Sequence, residues 1–249
     1  MSLPSLPPLS WRLAVHDELP STQDLILAAA AAGEPEGLAV LARRQSAGRG
    51  TQGRPWHSPT GNLFLSVLLR PQAPARSLPF WSLLSVVALA DALAPFLPDP
   101  SRLSVKWPND LLLGGAKCAG ILTQGQPDMA GGIAWVIPGI GVNLAEAPAL
   151  PDRPTASLAQ EGITPPEPVV FAWALLESLA HWRNRLLTEG FPPLREAWMA
   201  RGPRLDTPLS LRQPQGELSG LYRGLTEEGR LLLCNNSGLV AVASGEVAG

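Results

Sequence analysis

Residues 103–124 constrain the fold more than any other stretch of this chain. Leu103, Val105 and Trp107 alternate with Ser104 and Lys106, the period of two that lines up apolar side chains on one face of a strand. Pro108-Asn109-Asp110 has turn chemistry, Leu111 to Leu113 is a second short run, and Gly114-Gly115 is a two-residue hairpin signal before 116–124. The stretch therefore reads as strands of one sheet. Lys106 and Lys117 are expected on neighbouring strands, with Asp110 at a strand end where its carboxylate can enter a cleft. These two are the only lysines among 19 basic residues. A compact ammonium meets a point charge, whereas the planar guanidinium suits a bidentate partner. The pair reads as two contacts near one anion; chance proximity of two rare residues is the alternative.

A length of 249 residues suits one large domain, or one domain with a small appendage. A net charge of -2 gives no electrostatic footprint for a nucleic-acid binder, so no DNA partner is expected. Cys118 and Cys234 are the only cysteines, which argues against a disulfide framework and for a cytoplasmic protein. His16, His57 and His181 lack ligand-spaced companions, so no protein metal site is expected. Residues 1–10 are rich in Pro, Leu and Ser without a charged start and read as a flexible arm. The apolar run Phe80 to Leu97 contains Asp91 and Pro95 and reads as a core helix, not a membrane span.

Two segments ahead of the lysines carry polar chemistry. Ser21-Thr22-Gln23-Asp24 precedes an alanine-rich run that ends before Gly33, a capping-box helix. Its polar start is either a cap alone or a face toward a polar ligand. A buried strand, Leu38 to Ala42, then runs into Arg43-Arg44-Gln45-Ser46-Ala47-Gly48-Arg49-Gly50-Thr51-Gln52-Gly53-Arg54-Pro55-Trp56. Glycines there let backbone N–H groups approach an anion while arginines close over it. The loop is not a Walker loop, since no Gly-Lys-Ser/Thr follows.

Beyond the hairpin, Gly132 to Pro138 reads as a strand that delivers Gly139-Ile140-Gly141 and Asn143. Residues 168–190 form an amphipathic helix with Val169, Phe171, Trp173, Leu176, Leu179, Trp182 and Leu186 as its core face, and 191–202 supply another. After Gly202, short strands separated by Gln215-Gly216, Glu228-Gly229 and Ser237-Gly238 suggest a small barrel.

Ser21-Thr22-Gln23, the loop Gly48 to Trp56, Lys106-Trp107-Pro108-Asn109-Asp110, Lys117 to Leu122 and Gly139 to Asn143 together resemble the biotin protein ligases, in order and in spacing. The resemblance spans about residues 12 to 249. It implies an α+β catalytic domain of the class II synthetase-like type over 11–203, a mixed or antiparallel sheet with helices on one side, and a small SH3-like β-barrel over 204–249. It further implies an ATP-dependent ligase that activates biotin as biotinyl-5'-AMP, with Mg2+, and transfers it to a lysine of a biotin carboxyl carrier domain. Lys117, Arg49 and Asp110 would be catalytic. Ser21, Thr22, Gln23, Gln45, Arg49, Gly50, Thr51 and Lys117 would contact biotin, and Arg49, Arg54, Trp56, Lys106, Asn109, Lys117 and Asn143 would contact ATP. A lipoate or octanoate ligase is the alternative on a related domain, and a silent biotin- or nucleotide-binding module is the alternative outside enzymes. About twenty residues precede Ser21, so the DNA-binding domain of some members, and with it a repressor function, is not expected. Pairing into a homodimer is left open.

The family commonly has asparagine at Gln23, and some members have arginine at Thr51. With one cation fewer, this loop is expected to hold the adenylate less tightly. A Thr51→Arg variant should label bystander proteins less than the unaltered chain; equal labelling by the two would refute the idea.

Overall fold

The computed structural model describes residues 9–151 and 153–247 and contains two sheets. The expected arm therefore lies, up to residue 8, outside the described residues. The larger sheet has seven strands: β1 (Arg12–Leu19), β2 (Leu38–Gln45), β3 (Leu63–Val67), β4 (Leu103–Lys106), β5 (Asp110–Leu113), β6 (Ala116–Pro127) and β7 (Ile133–Val142). Their order is β1-β2-β3-β7-β6-β5-β4. β1 and β2 run parallel through the crossover helix α1 (Thr22–Ala31), and the remaining pairs are antiparallel, giving the mixed sheet that was expected.

Gly114 and Gly115 turn the β5–β6 hairpin at φ of 59° and 86°, the left-handed pair that a two-residue turn of this twist requires. One expectation changes. Lys106 pairs with Asp110 across β4 and β5, and Lys117 lies on β6, so β5 separates the two lysines. The chain reverses both at 107–109 and at 114–115, which makes the second lysine's strand the next but one.

Alternation along the strands sorts the helices onto two faces. Ala39 and Leu41 join the main core with α2 (Leu78–Leu93) and α3 (Pro168–Glu189), while Val40 between them packs with Ile26 and Ala30 of α1. The expectation of helices on one side thus holds for α2 and α3, with α4 (Pro192–Met199) packed against both. The short α1 lies on the opposite face, and beside it that face stays open to ligands. Among the described residues, the stretch Ala75–Phe96 is long and apolar enough to cross a membrane, and most of it is buried in the core.

On α3, Phe171, Leu176, Leu179, Trp182 and Leu186 are buried as expected, but Trp173 is 44% exposed. Residues two apart sit roughly 200° apart around a helix, so Phe171 and Trp173 cannot share a face. Glu167 caps this helix, accepting from the N–H groups of Val169 and Val170.

The second sheet is antiparallel, built from β8 (Pro208–Gln213), β9 (Gly216–Leu225), β10 (Leu231–Asn235), β11 (Gly238–Val242) and β12 (Glu246–Val247). Its buried Leu211, Tyr222, Leu225, Leu231, Leu233 and Val242 are continuous with the main core. Arg195 of α4 donates to the Leu225 carbonyl at 2.7 Å, fixing this sheet against the helices.

Phe171 is fully buried and meets Phe96 edge to face. Phe171→Ala should therefore cost about 3–5 kcal/mol of stability, read as a lower urea midpoint at an unchanged slope.

Candidate active site

The open face of the larger sheet is made of glycine where a cleft needs room. Strand register places Phe64, Gly141, Gly120, Asp110 and Lys106 in one row across five strands. Ser66 and Gly139 are paired in the next row. A Cβ at Gly141 would lie 2.6 Å from the Trp56 ring, and one at Gly139 only 2.3 Å from the Gln23 amide oxygen. Trp56 and Gln23 therefore lie directly on bare backbone. Above this floor is a cleft of about 610 Å³, within the usual range for a small-molecule site.

One end of the cleft is neutral. Ser21, Thr22 and Gln23, at the start of α1, are each less than 5% exposed. Ser21 occupies the N-cap position, but its side chain makes no capping bond, and Asp24 pairs instead with Arg49. The capping box expected from the sequence is thus not formed: Asp24 turns to Arg49, and the Ser21 hydroxyl makes no bond to the helix N–H groups. The first helical N–H, that of Thr22, donates to Gln45 Oε1 at 2.8 Å. A relay of neutral groups continues from there. Thr22 and Ser66 hydroxyls are 2.8 Å apart, Ser66 donates to Gln23 Oε1, and Gln45 Nε2 donates to Ser58, whose hydroxyl donates to the Trp56 carbonyl.

The other end is charged. Lys117 Nζ lies 2.6 Å from Asp110 Oδ1, with side chains 17% and 10% exposed, and 5.5 Å from the Trp56 ring centroid. The ammonium thus faces a carboxylate and a π-cloud inside the cleft, not solvent. The Lys117 N–H donates to the Pro154 carbonyl and the Ala156 N–H donates to the Lys117 carbonyl, which holds Pro154 and Ala156 beside it. Arg54 and Arg153 both line this end, and both pair with Glu246 of β12, so the smaller sheet reaches the cleft through one carboxylate. Burial pushes the Glu246 carboxyl upward, but hydrogen bonds from Arg54 and Arg153 outweigh it and hold the group below its ordinary range. Burial pushes the Lys106 ammonium down, against the opposing pull of Asp110 and Glu246. Cys118, next to Lys117, is fully buried with its thiol pushed up to about 12, and is chemically silent at neutral pH.

The glycine loop is a closed turn. Gly50 donates to the Arg54 carbonyl, Trp56 donates to that of Gly48, and Gln52 and Gly53 take positive φ. Among the described residues, two buried polar atoms lining the cleft lack partners, Trp56 Nε1 and Asn143 Oδ1. The Asn143 amide nitrogen donates to the Ala156 carbonyl, which leaves its oxygen as the free acceptor.

Of the residues expected at the site, Ser21, Thr22, Gln23, Gln45, Arg49, Gly50, Thr51, Arg54, Trp56, Asn109, Asp110, Lys117 and Asn143 line this one cleft, and Lys106 does not. Asn109 also holds the fold, its amide donating to the Ile121 carbonyl at 2.5 Å. Sequence reading missed Ser66, Arg153 and Glu246. Ser66 left a signal, as the one hydroxyl within the buried run Leu63–Val67, whereas Arg153 and Glu246 carry no pattern that marks them.

A strand-floored cleft that joins a neutral pocket to a caged ammonium under an arginine loop defines a class, and comparison with known proteins agrees. The Biotin/lipoate A/B protein ligase family model matches residues 17–143, and the chain belongs to that family. Residues 209–248 match the Biotin protein ligase C terminal domain. The biotin–[acetyl-CoA-carboxylase] ligase of Paracoccus denitrificans is 39% identical over 219 residues, 84% of this chain and 88% of the relative. The bifunctional ligase/repressor BirA of Bacillus subtilis is 33% identical, over 96% of this chain and 74% of the relative. Among solved structures, the Aquifex aeolicus biotin protein ligase in complex with biotin and ATP superposes with a TM-score of 0.79 at 25% identity, covering 95% of this chain and 97% of that one.

Gly139→Ala is expected to push the Gln23 amide off its seat and weaken binding at the neutral end. Titration calorimetry with biotin should read the loss, and unchanged affinity would show that the glycine floor is not required.

Proposed function

We propose that this chain is an ATP-dependent biotin–protein ligase that forms biotinyl-5'-AMP and transfers the biotinyl group to one lysine of a biotin carboxyl carrier domain. The observation that carries the reading is the placement of Lys117, a mostly buried ammonium at the junction of a neutral pocket and an arginine-lined one. The neutral relay of Thr22, Gln23, Gln45 and Ser66 suits an uncharged ureido head, which needs donors and acceptors but no counter-charge.

In the first step a carboxylate oxygen attacks the α-phosphorus, forming a P–O bond as the bond to pyrophosphate breaks. Two anions must be brought together, so catalysis is largely positioning and charge neutralisation. Lys117 moves from Asp110 to the two reacting anions, while Arg49 and Arg54 cover them and exclude water. Asn143 and Trp56 take the adenosine: the free Asn143 oxygen suits the adenine amino group, and the indole N–H offers a donor. Lys106 and Asn109 act at the edge of the phosphates. In the second step the acceptor amine attacks the acyl carbon and AMP leaves. Asp110, released from Lys117, orients that amine and takes its proton.

Among the described residues no three His, Cys, Asp or Glu side chains gather as a metal-ligand set, and Asp110 and Glu246 are each paired with basic groups. Magnesium would come bound to the nucleotide and supply further neutralisation of the triphosphate charge. Residues 11–203 form the catalytic unit and 204–249 a module that tethers Arg54 and Arg153 through Glu246. Two unpaired cysteines and the need for ATP favour the cytoplasm.

Incubation with ATP, magnesium and either biotin or lipoate should give an AMP-linked product with biotin alone. Lys117→Ala should lower adenylate formation by about 10²–10³-fold or more, with an unchanged circular dichroism spectrum. Unaltered pyrophosphate release would remove Lys117 from the mechanism.

A further inference from the structure

We propose that Gln124, which lies outside the cleft lining, is the positioning residue that sets the amide of Gln23 and so makes the neutral pocket select a ligand head bearing an N–H donor. This rests on the biotin-ligase reading above. Gln23 is 3% exposed, and both its amide hydrogens are committed: Nε2 donates to Gln124 Oε1 at 2.9 Å and to the Ile137 carbonyl at 3.2 Å. Its Oε1 accepts from Ser66 Oγ at 2.9 Å. An amide oxygen has two lone pairs, so what remains on Gln23 for a ligand is one acceptor site and no donor.

The register of β6 on β7 explains how two acceptors come together. Gln124 is paired with Ile137, so its side-chain oxygen and the β7 carbonyl flank the same NH2 group. The Ile137 carbonyl can only accept, and reversing the Gln23 amide would set two carbonyl oxygens against each other. Gln124 provides the shorter contact, and donation at the nitrogen polarises the amide so that its oxygen accepts more strongly. Gln23 then meets a ligand only as an acceptor. Such a site favours the N–H of a cyclic urea and disfavours a head that has no donor, because the buried oxygen is then left unpaired.

Two variants separate this role from packing. Gln124→Glu keeps an acceptor at the same reach, and Gln124→Met keeps the length but removes it. Biotin affinity would be read by calorimetry, and steady-state biotinylation of a purified carboxyl carrier domain would give KM and kcat. Gln124→Met should raise the Kd and KM for biotin about 5- to 10-fold, the loss of roughly one hydrogen bond, and leave the KM for ATP, kcat and the melting midpoint unchanged. Gln124→Glu should stay within about twofold of the unaltered protein on every measure. Wild-type behaviour of Gln124→Met, equal impairment of both variants, or a parallel rise in the KM for ATP would overturn the proposal. Failure of the unaltered protein to bind biotin would overturn the ligase reading first, and this proposal with it.

Discussion

Close approach of side chains to bare backbone is the constraint on which the site depends. Glycine in a strand lacks a side chain to pack and loses more freedom on folding than any other residue, so a sheet ordinarily avoids it. Here Gly120, Gly139 and Gly141 form the floor under Lys117, Gln23 and Trp56, with distances that leave no space for a methyl group at 139 or 141. The same strands place Ile121, Ile140 and Val142 on the opposite face, in the main core with α2 and α3. One pair of strands thus supplies dry packing on one side and an open shelf on the other, and the alternation of the pleat keeps the two apart.

Charge in the cleft is arranged in pairs that a ligand has to reorganise. Lys117 rests on Asp110, Arg49 on Asp24, and Arg54 with Arg153 on Glu246. Each of these cations has a carboxylate partner, so none is an isolated charge, which would be costly to bury. An entering carboxylate and triphosphate compete with those carboxylates for the same cations. In the proposed cycle this exchange also frees Asp110 at the stage when an amine has to be received. Glu246 extends the arrangement to the smaller sheet, so that a strand near the end of the chain bears on the loop at 48–56.

The parts of the site that were legible were those with a local signature. The arginine–glycine loop, the pair Asn109-Asp110 and the glycines at 139 and 141 were visible because each needs a residue type within a few positions of a turn or strand end. Gln23 was visible as part of a polar helix start, although its partners were not. The capping box is absent although Ser21 and Asp24 are spaced as a cap would space them, because the tertiary partner Arg49 claims Asp24. Trp173 was misplaced because aromatic content was read as burial, when the turn of the helix puts it opposite Phe171.

Sequence alone determined the elements of this protein: the period of two through Leu103 to Lys106, the turn at Gly114-Gly115, the long helix that starts at Pro168 and the run of short strands near the end. These are set by forces acting over a few residues, such as backbone dihedrals and side-chain alternation, and so they can be read from neighbours in the chain. Tertiary structure decided what those elements bring together. It put β5 between the two lysines, set Gln23 against Gln124 across 101 positions, and brought Glu246 to Arg54 across 192. Strand order and register govern such meetings, and they are chosen by the packing of the whole core, which no local pattern encodes.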